Sequence, residues 1–181
     1  MAKRQSKIKQ IKALQKAAKL SPQERLARFV EKAQYLAAID LVKQAAQSQP
    51  DLQLTPSEGE LWLKQGQMEL GRSQPKLAEP HFTQALELAN SQDNWLGDAY
   101  YFLAKSLLLQ DRSAEALALI QSAFDQEKLP KTHGGCYLKL LLIEGETERA
   151  KALMEQQPKR FYAPQLHWLR GVFGLAGGAR R

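Results

Sequence analysis

The stretch of sequence that decides the fold is residues 59–92, which read GELWLKQGQMELGRSQPKLAEPHFTQALELANSQ. Apolar residues recur at spacings of three and four on both sides of the break at Gln74-Pro75, which predicts two helices joined by a turn. The same spacing fills nearly every other segment between breakers, and few local signals favour strands. The sequence therefore predicts an all-α chain built from helix hairpins.

The second helix of this hairpin carries a small, a bulky and a small residue at Ala78, Phe82 and Ala85. Short side chains let neighbouring helices approach closely, and the bulky residue fills the gap beside them. The series recurs in three other segments, at Ala38, Val42 and Ala45; at Ala116, Ile120 and Ala123; and, with Gln157 in place of the last small residue, at Ala150 and Met154. The anchor alanines are 40, 38 and 34 residues apart, against a period of about 34 in helix-hairpin repeats.

Trp62, Gly66 and the small, bulky, small series together resemble the signature of the tetratricopeptide repeat (TPR) family. The Leu, Tyr and Pro of that signature are replaced here by Gln65, Glu69 and Asn90. The resemblance implies a right-handed superhelical solenoid of antiparallel helix hairpins with a concave groove, here with about four degenerate repeats and a C-terminal helix. The alternative is an ordinary helical bundle with alanine-rich seams.

Proline-containing breakers divide the chain into three parts. Residues 1–20 form a basic arm, disordered or an amphipathic helix; residues 21–158 hold the repeats; and residues 159–181 form a capping helix or a truncated further repeat. Ser21 and Ser57 are each followed by Glu three residues later, which predicts N-caps at those two serines.

The positive charge is concentrated at the amino terminus. The net charge is +7, and no Asp or Glu occurs before Glu24. Such an arm is suited to nucleic acid or another anionic surface, and its alternative role is a solvated tail that only aids solubility. The candidate anion-binding residues are Lys3, Arg4, Lys7, Lys9, Lys12, Lys16 and Lys19.

The TPR resemblance implies that the first helix of each hairpin lines a partner-binding groove. Lys105 and Lys139 occupy equivalent places in neighbouring repeats, so they are candidates for contact with an acidic peptide or a terminal carboxylate; the alternative is solvated surface. The asparagines of the chaperone-binding members of the family are not found. Mapping from the anchor alanines predicts the groove residues Leu63, Gln67, Leu70, Tyr101, Lys105, Leu108, Lys139 and Leu142.

The sequence carries no pattern that indicates catalysis or a cofactor. His133 and Cys136 lie three residues apart, but a nucleophilic thiol needs a base within reach and a third group that orients it, so a buried structural cysteine is the preferred interpretation. No phosphate-binding loop and no spaced set of metal ligands is present. We therefore predict a protein that is not an enzyme and needs no cofactor or metal.

Three hypotheses about function follow. The first is a scaffold or adaptor that binds a protein or peptide partner in the groove, and the second is a nucleic-acid- or ribosome-associated protein tethered by the arm. The third is the repeat region of a larger enzyme or signalling protein. A single cysteine, the lack of a signal peptide and the lack of a membrane-spanning apolar run predict a cytoplasmic protein without integral membrane association.

Overall fold

A computed structural model of the chain describes residues 20–172, which contain no strand. The α-helices of this part are α1 Pro22–Glu31, α2 Tyr35–Ser48, α3 Glu58–Gly71, α4 Pro75–Leu88, α5 Leu96–Leu108, α6 Ser113–Asp125, α7 Lys131–Ile143, α8 Thr147–Gln156 and α9 Ala163–Val172, with a short 3-10 turn at Pro158–Arg160. The predicted all-α repeat fold is confirmed. The helix α1 begins at Pro22 and the 3-10 turn at Pro158, while the division of the chain near residues 20 and 158 stays a prediction.

Each hairpin turns through one residue in the left-handed backbone region. These residues are Ala33, Ser73, Asp111 and Gly145, with φ of 52°, 59°, 60° and 78°. Every one of them lies five residues before an anchor alanine, so the turns keep the same register as the small, bulky, small series. In each turn the next residue donates its N–H to a carbonyl five residues back, at 2.8–3.1 Å, which is a common way to end a helix. The four copies are therefore the hairpins α1–α2, α3–α4, α5–α6 and α7–α8.

The chain divides into two compact units, and the boundary falls inside α3, between Gln65 and Gly66. In the first unit the hairpin α1–α2 and the start of α3 share one core. Its buried residues are Leu26, Ala38, Ile39, Leu41, Ala45, Leu54 and Leu61, and Val42 packs against them. Burial of each large aliphatic side chain contributes about 1.5–3 kcal/mol to stability.

The predicted N-caps at Ser21 and Ser57 are present. Ser21 accepts a hydrogen bond from the Glu24 N–H at 3.2 Å, and the Glu24 carboxylate accepts one from the Ser21 N–H at 2.8 Å. These two bonds satisfy backbone donors that the first turn of α1 leaves unpaired. The hydrogen bonds from Ser21 also lower the pKa of Glu24. Ser57 accepts from the Glu60 N–H at 3.3 Å in the same way.

In the second unit, consecutive helices from α4 to α8 pack side by side, and α5 also packs against α7. Ser106 is fully buried and donates its hydroxyl to the Pro75 carbonyl at 2.7 Å, which attaches α5 to the start of α4. Arg112 pairs with Glu79 at 2.8 Å and with Glu115 at 2.7 Å. Glu115 and, next, Glu79 raise the pKa of Arg112, so the guanidinium stays charged.

The C-terminal end of this unit is an aromatic cluster. Phe124 packs against Tyr137 and Phe161, with ring centroids 5.0 and 5.5 Å apart. The Arg160 guanidinium lies 3.8 Å from the centre of the Phe124 ring and donates to the Phe124 carbonyl. A stacked, hydrogen-bonded arginine uses both its flat face and its donors. The cluster thereby holds the 3-10 turn in place before α9.

Candidate functional site

The second unit contains a cavity of about 630 Å³ between α5, α7 and the beginning of α9. Each of the two long helices contributes residues at positions i, i+3, i+4 and i+7, which lie on one side of a helix. In α5 these are Tyr101, Ala104, Lys105 and Leu108, and in α7 they are Cys136, Lys139, Leu140 and Ile143. The remaining lining residues are Thr132, His133, Gly135, Tyr162, Pro164 and Gln165.

A stacked aromatic pair forms one wall of this cavity. The Tyr101 and His133 rings lie 4.3 Å apart at an angle of 7°. His133 Nε2 is 2.6 Å from Asp98 Oδ1, which orients the imidazole. Burial raises the pKa of the Tyr101 phenol, with a smaller contribution from Cys136, so the ring remains neutral at physiological pH. The pair therefore joins α5 to α7 and gives the cavity a rigid wall.

Gln165 connects α9 to the first turns of α7. Its side-chain oxygen accepts from the Gly135 N–H at 3.1 Å, and its nitrogen donates to the Thr132 carbonyl at 2.9 Å. A Cβ added at Gly135 would lie 2.7 Å from the Gln165 side chain. Glycine at this position therefore lets the amide reach the backbone of α7.

The cysteine in the cavity is a poor nucleophile. Burial raises the pKa of Cys136 to about 11, although Lys139 partly opposes this shift. A thiol with that pKa is protonated near neutral pH, and the thiolate is the reactive form. The preferred interpretation of Cys136 as a buried structural residue agrees with this environment.

The structure brings together only part of the predicted groove. Tyr101, Lys105, Leu108 and Lys139 line the cavity. Leu63 is only 3% exposed and does not present a surface. Gln67, Leu70 and Leu142 are half-buried and lie outside the cavity lining.

The mapping from the anchor alanines missed ten of the lining residues, among them His133, Ile143, Tyr162 and Gln165. Ile143 lies seven residues after Cys136 and four after Lys139, so the three-and-four spacing within α7 could have identified it instead of Leu142. Tyr162 and Gln165 belong to the segment around the start of α9, for which the repeat register makes no prediction. The basic arm residues Lys3, Arg4, Lys7, Lys9, Lys12, Lys16 and Lys19 lie outside the described residues.

Hairpins in a shared register, with their first helices α5 and α7 packed together, define the class: the chain has the fold of a TPR-type helical repeat protein. A similar solved structure is that of a variant of the nearly identical TPR-like repeats of a putative kinesin light chain from Podospora anserina. The likeness covers 92% of this chain and 84% of that one, with a TM-score of 0.50 and 15% sequence identity, so it shows the fold alone. No family model and no curated protein matches the chain in sequence. None of the helices within residues 20–172 combines the length and apolarity needed to cross a bilayer.

Proposed function

We propose that this protein is a non-catalytic scaffold that binds a segment of a partner protein in the cavity between α5, α7 and α9. The observation that carries the proposal is a concave site with apolar side chains exposed at it. Ile143 is 54% exposed and Tyr162 is 52% exposed, and both belong to the lining. Concave sites with apolar walls and a few polar groups are typical ligand sites, commonly of about 300–1,000 Å³.

The polar groups of the cavity are suited to recognition rather than to bond chemistry. His133 hydrogen-bonds to Asp98 and stacks on Tyr101, and the thiol of Cys136 is kept protonated by burial. A nucleophile activated by a neighbouring base is the usual requirement of covalent catalysis. These features support a binding role, and the lone protonated thiol is compatible with a reducing, cytoplasmic setting.

Site-specific photo-crosslinking in the cell of origin tests the proposal. A photoreactive phenylalanine analogue replaces Ile143 in the full chain, and a matched chain carries it at Leu77, which is equally exposed at 54% but lies on α4, away from the cavity. We expect a discrete crosslinked protein from position 143, with the crosslink mapped to one segment of that protein. Identical product patterns from both positions, or no product from position 143, would overturn the proposal.

A second candidate function, a nucleic-acid or ribosome tether, is favoured by the seven basic residues that precede the first acidic one. Neutralising phosphates releases counterions, so such binding falls steeply with salt. Fluorescence anisotropy with mixed RNA and DNA compares the full chain with one lacking residues 1–20. Salt-sensitive binding that disappears on truncation supports the tether, whereas no binding by the full chain at moderate salt contradicts it.

A further inference from the structure

Two segments of the second unit carry basic side chains and no acidic ones. Residues 128–143, which contain α7, and residues 156–172, which contain α9, together hold six Lys and Arg residues and no Asp or Glu. Residues 21–127 and 144–155 together hold 11 basic and 19 acidic side chains. The two acid-free segments are therefore positive, whereas the rest of the repeat region is negative.

These two segments pack against each other at the amino-terminal end of α7, beside the 3-10 turn. The Gln165 side chain donates to the Thr132 carbonyl at 2.9 Å, which ties α9 to the first turn of α7. A Cβ added at Gly134 would lie 2.9 Å from the carbonyl oxygen of Arg160, which belongs to the 3-10 turn. The fold thereby brings the basic residues at the start of α7 close to those of the 3-10 turn.

Four basic residues form what we name the basic patch: Lys128, Lys131, Lys159 and Arg160. Lys131 and Lys159 are exposed, and neither forms an ion pair within the described part of the chain. The charged groups of Lys128 and Arg160 lie over aromatic rings, 6.0 and 3.8 Å from the ring centres. Contact with a ring attracts a cation without cancelling its charge. The patch therefore keeps a positive field for an external anion.

The acidic residues around the patch balance only part of this charge. They are Asp98, Asp125, Glu127 and Glu155. Asp98 Oδ1 is 2.6 Å from His133 Nε2, and Asp125 acts electrostatically on Arg149 of α8. The other two are exposed. Four cations therefore lie near two carboxylates that have no such basic neighbour.

An exposed aromatic ring follows the patch in the chain. Tyr162 comes two residues after Arg160, is 52% exposed, and is the aromatic member of the exposed large apolar side chains within residues 20–172. An unpaired base can stack on such a ring, whereas the bases of a duplex are already stacked on one another. Basic groups that follow phosphates beside an aromatic ring are typical of surfaces that bind single-stranded nucleic acid.

We infer that the basic patch and Tyr162 form a binding surface for single-stranded nucleic acid. Phosphates pair with Lys128, Lys131 and Lys159, and a neighbouring base stacks on Tyr162. The inference rests on the second candidate function, the nucleic-acid tether, and extends it from the basic arm to folded residues. A patch of this size makes few phosphate contacts, so it strengthens binding that the arm begins.

Fluorescence anisotropy of the full chain with labelled oligouridine of about 16 nucleotides, across a salt series, tests the charged part of this surface. The double variant Lys131→Gln, Lys159→Gln should bind roughly fivefold more weakly. It should also reduce the slope of log K against log salt by about 1.4, since each phosphate contact to a single strand accounts for about 0.7. The matched double variant Lys32→Gln, Lys76→Gln makes the same change of net charge at exposed lysines outside the patch and should keep the wild-type slope.

The ring is tested separately, because stacking releases no counterions. Tyr162→Ala should weaken binding to oligouridine by at least about fivefold with an unchanged salt slope. Tyr162→Phe keeps the stacking surface and should bind like the wild type. Far-UV circular dichroism and thermal melting confirm that each variant folds.

The outcomes separate this inference from the tether. Binding by the full chain that is equally strong and equally salt-sensitive in both double variants would overturn the inference and leave the arm as the tether. Wild-type binding by Tyr162→Ala would also overturn it. No binding of oligouridine by the full chain at moderate salt would overturn both the inference and the tether. Binding of vesicles that contain phosphatidylserine, in place of oligouridine, would assign the patch to a membrane surface instead.

Discussion

The hairpins α3–α4 and α5–α6 divide side-chain volume differently between their two helices at equivalent positions. Twelve residues before the anchor alanine, the first helix carries Gly66 in α3–α4 and Ala104 in α5–α6. Four residues after the anchor alanine, the second helix carries Phe82 in α3–α4 and Ile120 in α5–α6. All four are buried. A Cβ added at Gly66 would lie 2.5 Å from the Phe82 ring. The hairpin with the smaller first-helix residue thus has the larger second-helix residue, so the repeat conserves register and divides the volume differently.

The first and last hairpins carry larger first-helix residues. At the same two positions α1–α2 has Leu26 and Val42, and α7–α8 has Leu138 and Met154. Leu26 and Leu138 are fully buried, and neither second-helix residue is aromatic. Cores are packed at close to crystal density, so a change of volume at one of these positions has to be accommodated by the surrounding side chains.

The largest expected effect is at Phe82, because the whole ring occupies space that Gly66 leaves open. Phe82→Ala should lower the free energy of unfolding by about 3–5 kcal/mol, and Ile120→Val by only about 0.5–1.5 kcal/mol. Urea unfolding followed by circular dichroism measures both. Similar losses in the two variants would break the comparison between the hairpins.

A smaller loss is expected when volume is added at Gly66. Gly66→Ala should cost about 1–3 kcal/mol, because the new methyl group overlaps the Phe82 ring. Adding Phe82→Leu should restore part of this loss, which the same urea unfolding would show as a favourable coupling energy. Gly71→Ala is the matched control in the same helix, since nothing lies within 4 Å of its added Cβ. It should be neutral or stabilise by up to about 1 kcal/mol, the difference in helix propensity.

The next effect is expected at the hairpin turns, where a substitution should change the free energy of unfolding by about 1 kcal/mol. Ala33 adopts the left-handed conformation at φ 52°, where the equivalent residue of the last hairpin is Gly145 at φ 78°. Side chains other than glycine cost roughly 1–2 kcal/mol there. Ala33→Gly should therefore raise the midpoint of thermal unfolding and Gly145→Ala should lower it. A change of the same sign in both variants would show that the local contacts of the turns outweigh backbone strain.

The smallest expected effect is the pH dependence that His81 gives to the hairpin α3–α4. Burial lowers the pKa of His81 below 6.5, and Glu69 partly offsets the shift. The unfolded chain therefore binds the proton more tightly than the folded chain. The contribution of neutral His81 to the unfolding free energy is fully present above pH 6.5 and is lost as the pH falls towards the folded-state pKa. His81→Gln should flatten the unfolding free energy over this acidic range. Indistinguishable slopes for the two proteins would remove the role assigned to His81.

The fold was predictable because its signal is local and repeated. The anchor alanines, the bulky residue four positions later and the proline breakers recur along the chain, and each marks a helix that the structure contains. Gln65 and Glu69, which depart from the family signature, are nevertheless buried in α3. Their neighbours tolerate them because, among the described residues, every buried side-chain nitrogen and oxygen has a hydrogen-bond partner.

The candidate site was predictable only in part. The repeat register brought Tyr101, Lys105 and Lys139 into one prediction, and the structure places them around one cavity. The repeat register does not predict whether a neighbouring helix covers a given position. Leu63, for example, occupies the same repeat position as Tyr101 but is buried. The contacts of His133 depend on how α7 packs on α5, which no local pattern records.

The sequence by itself determined that this protein is a chain of helix hairpins with a common register, because apolar periodicity, small residues and breakers act within a few residues of one another. Tertiary structure alone decided which faces remain open. The cavity exists because Gln165, from α9, reaches the backbone of α7 while the Tyr101 and His133 rings join α5 to α7. Contacts between residues about 30 positions apart depend on the angles at which helices pack, and those angles follow from the summed volumes of many side chains rather than from any one motif.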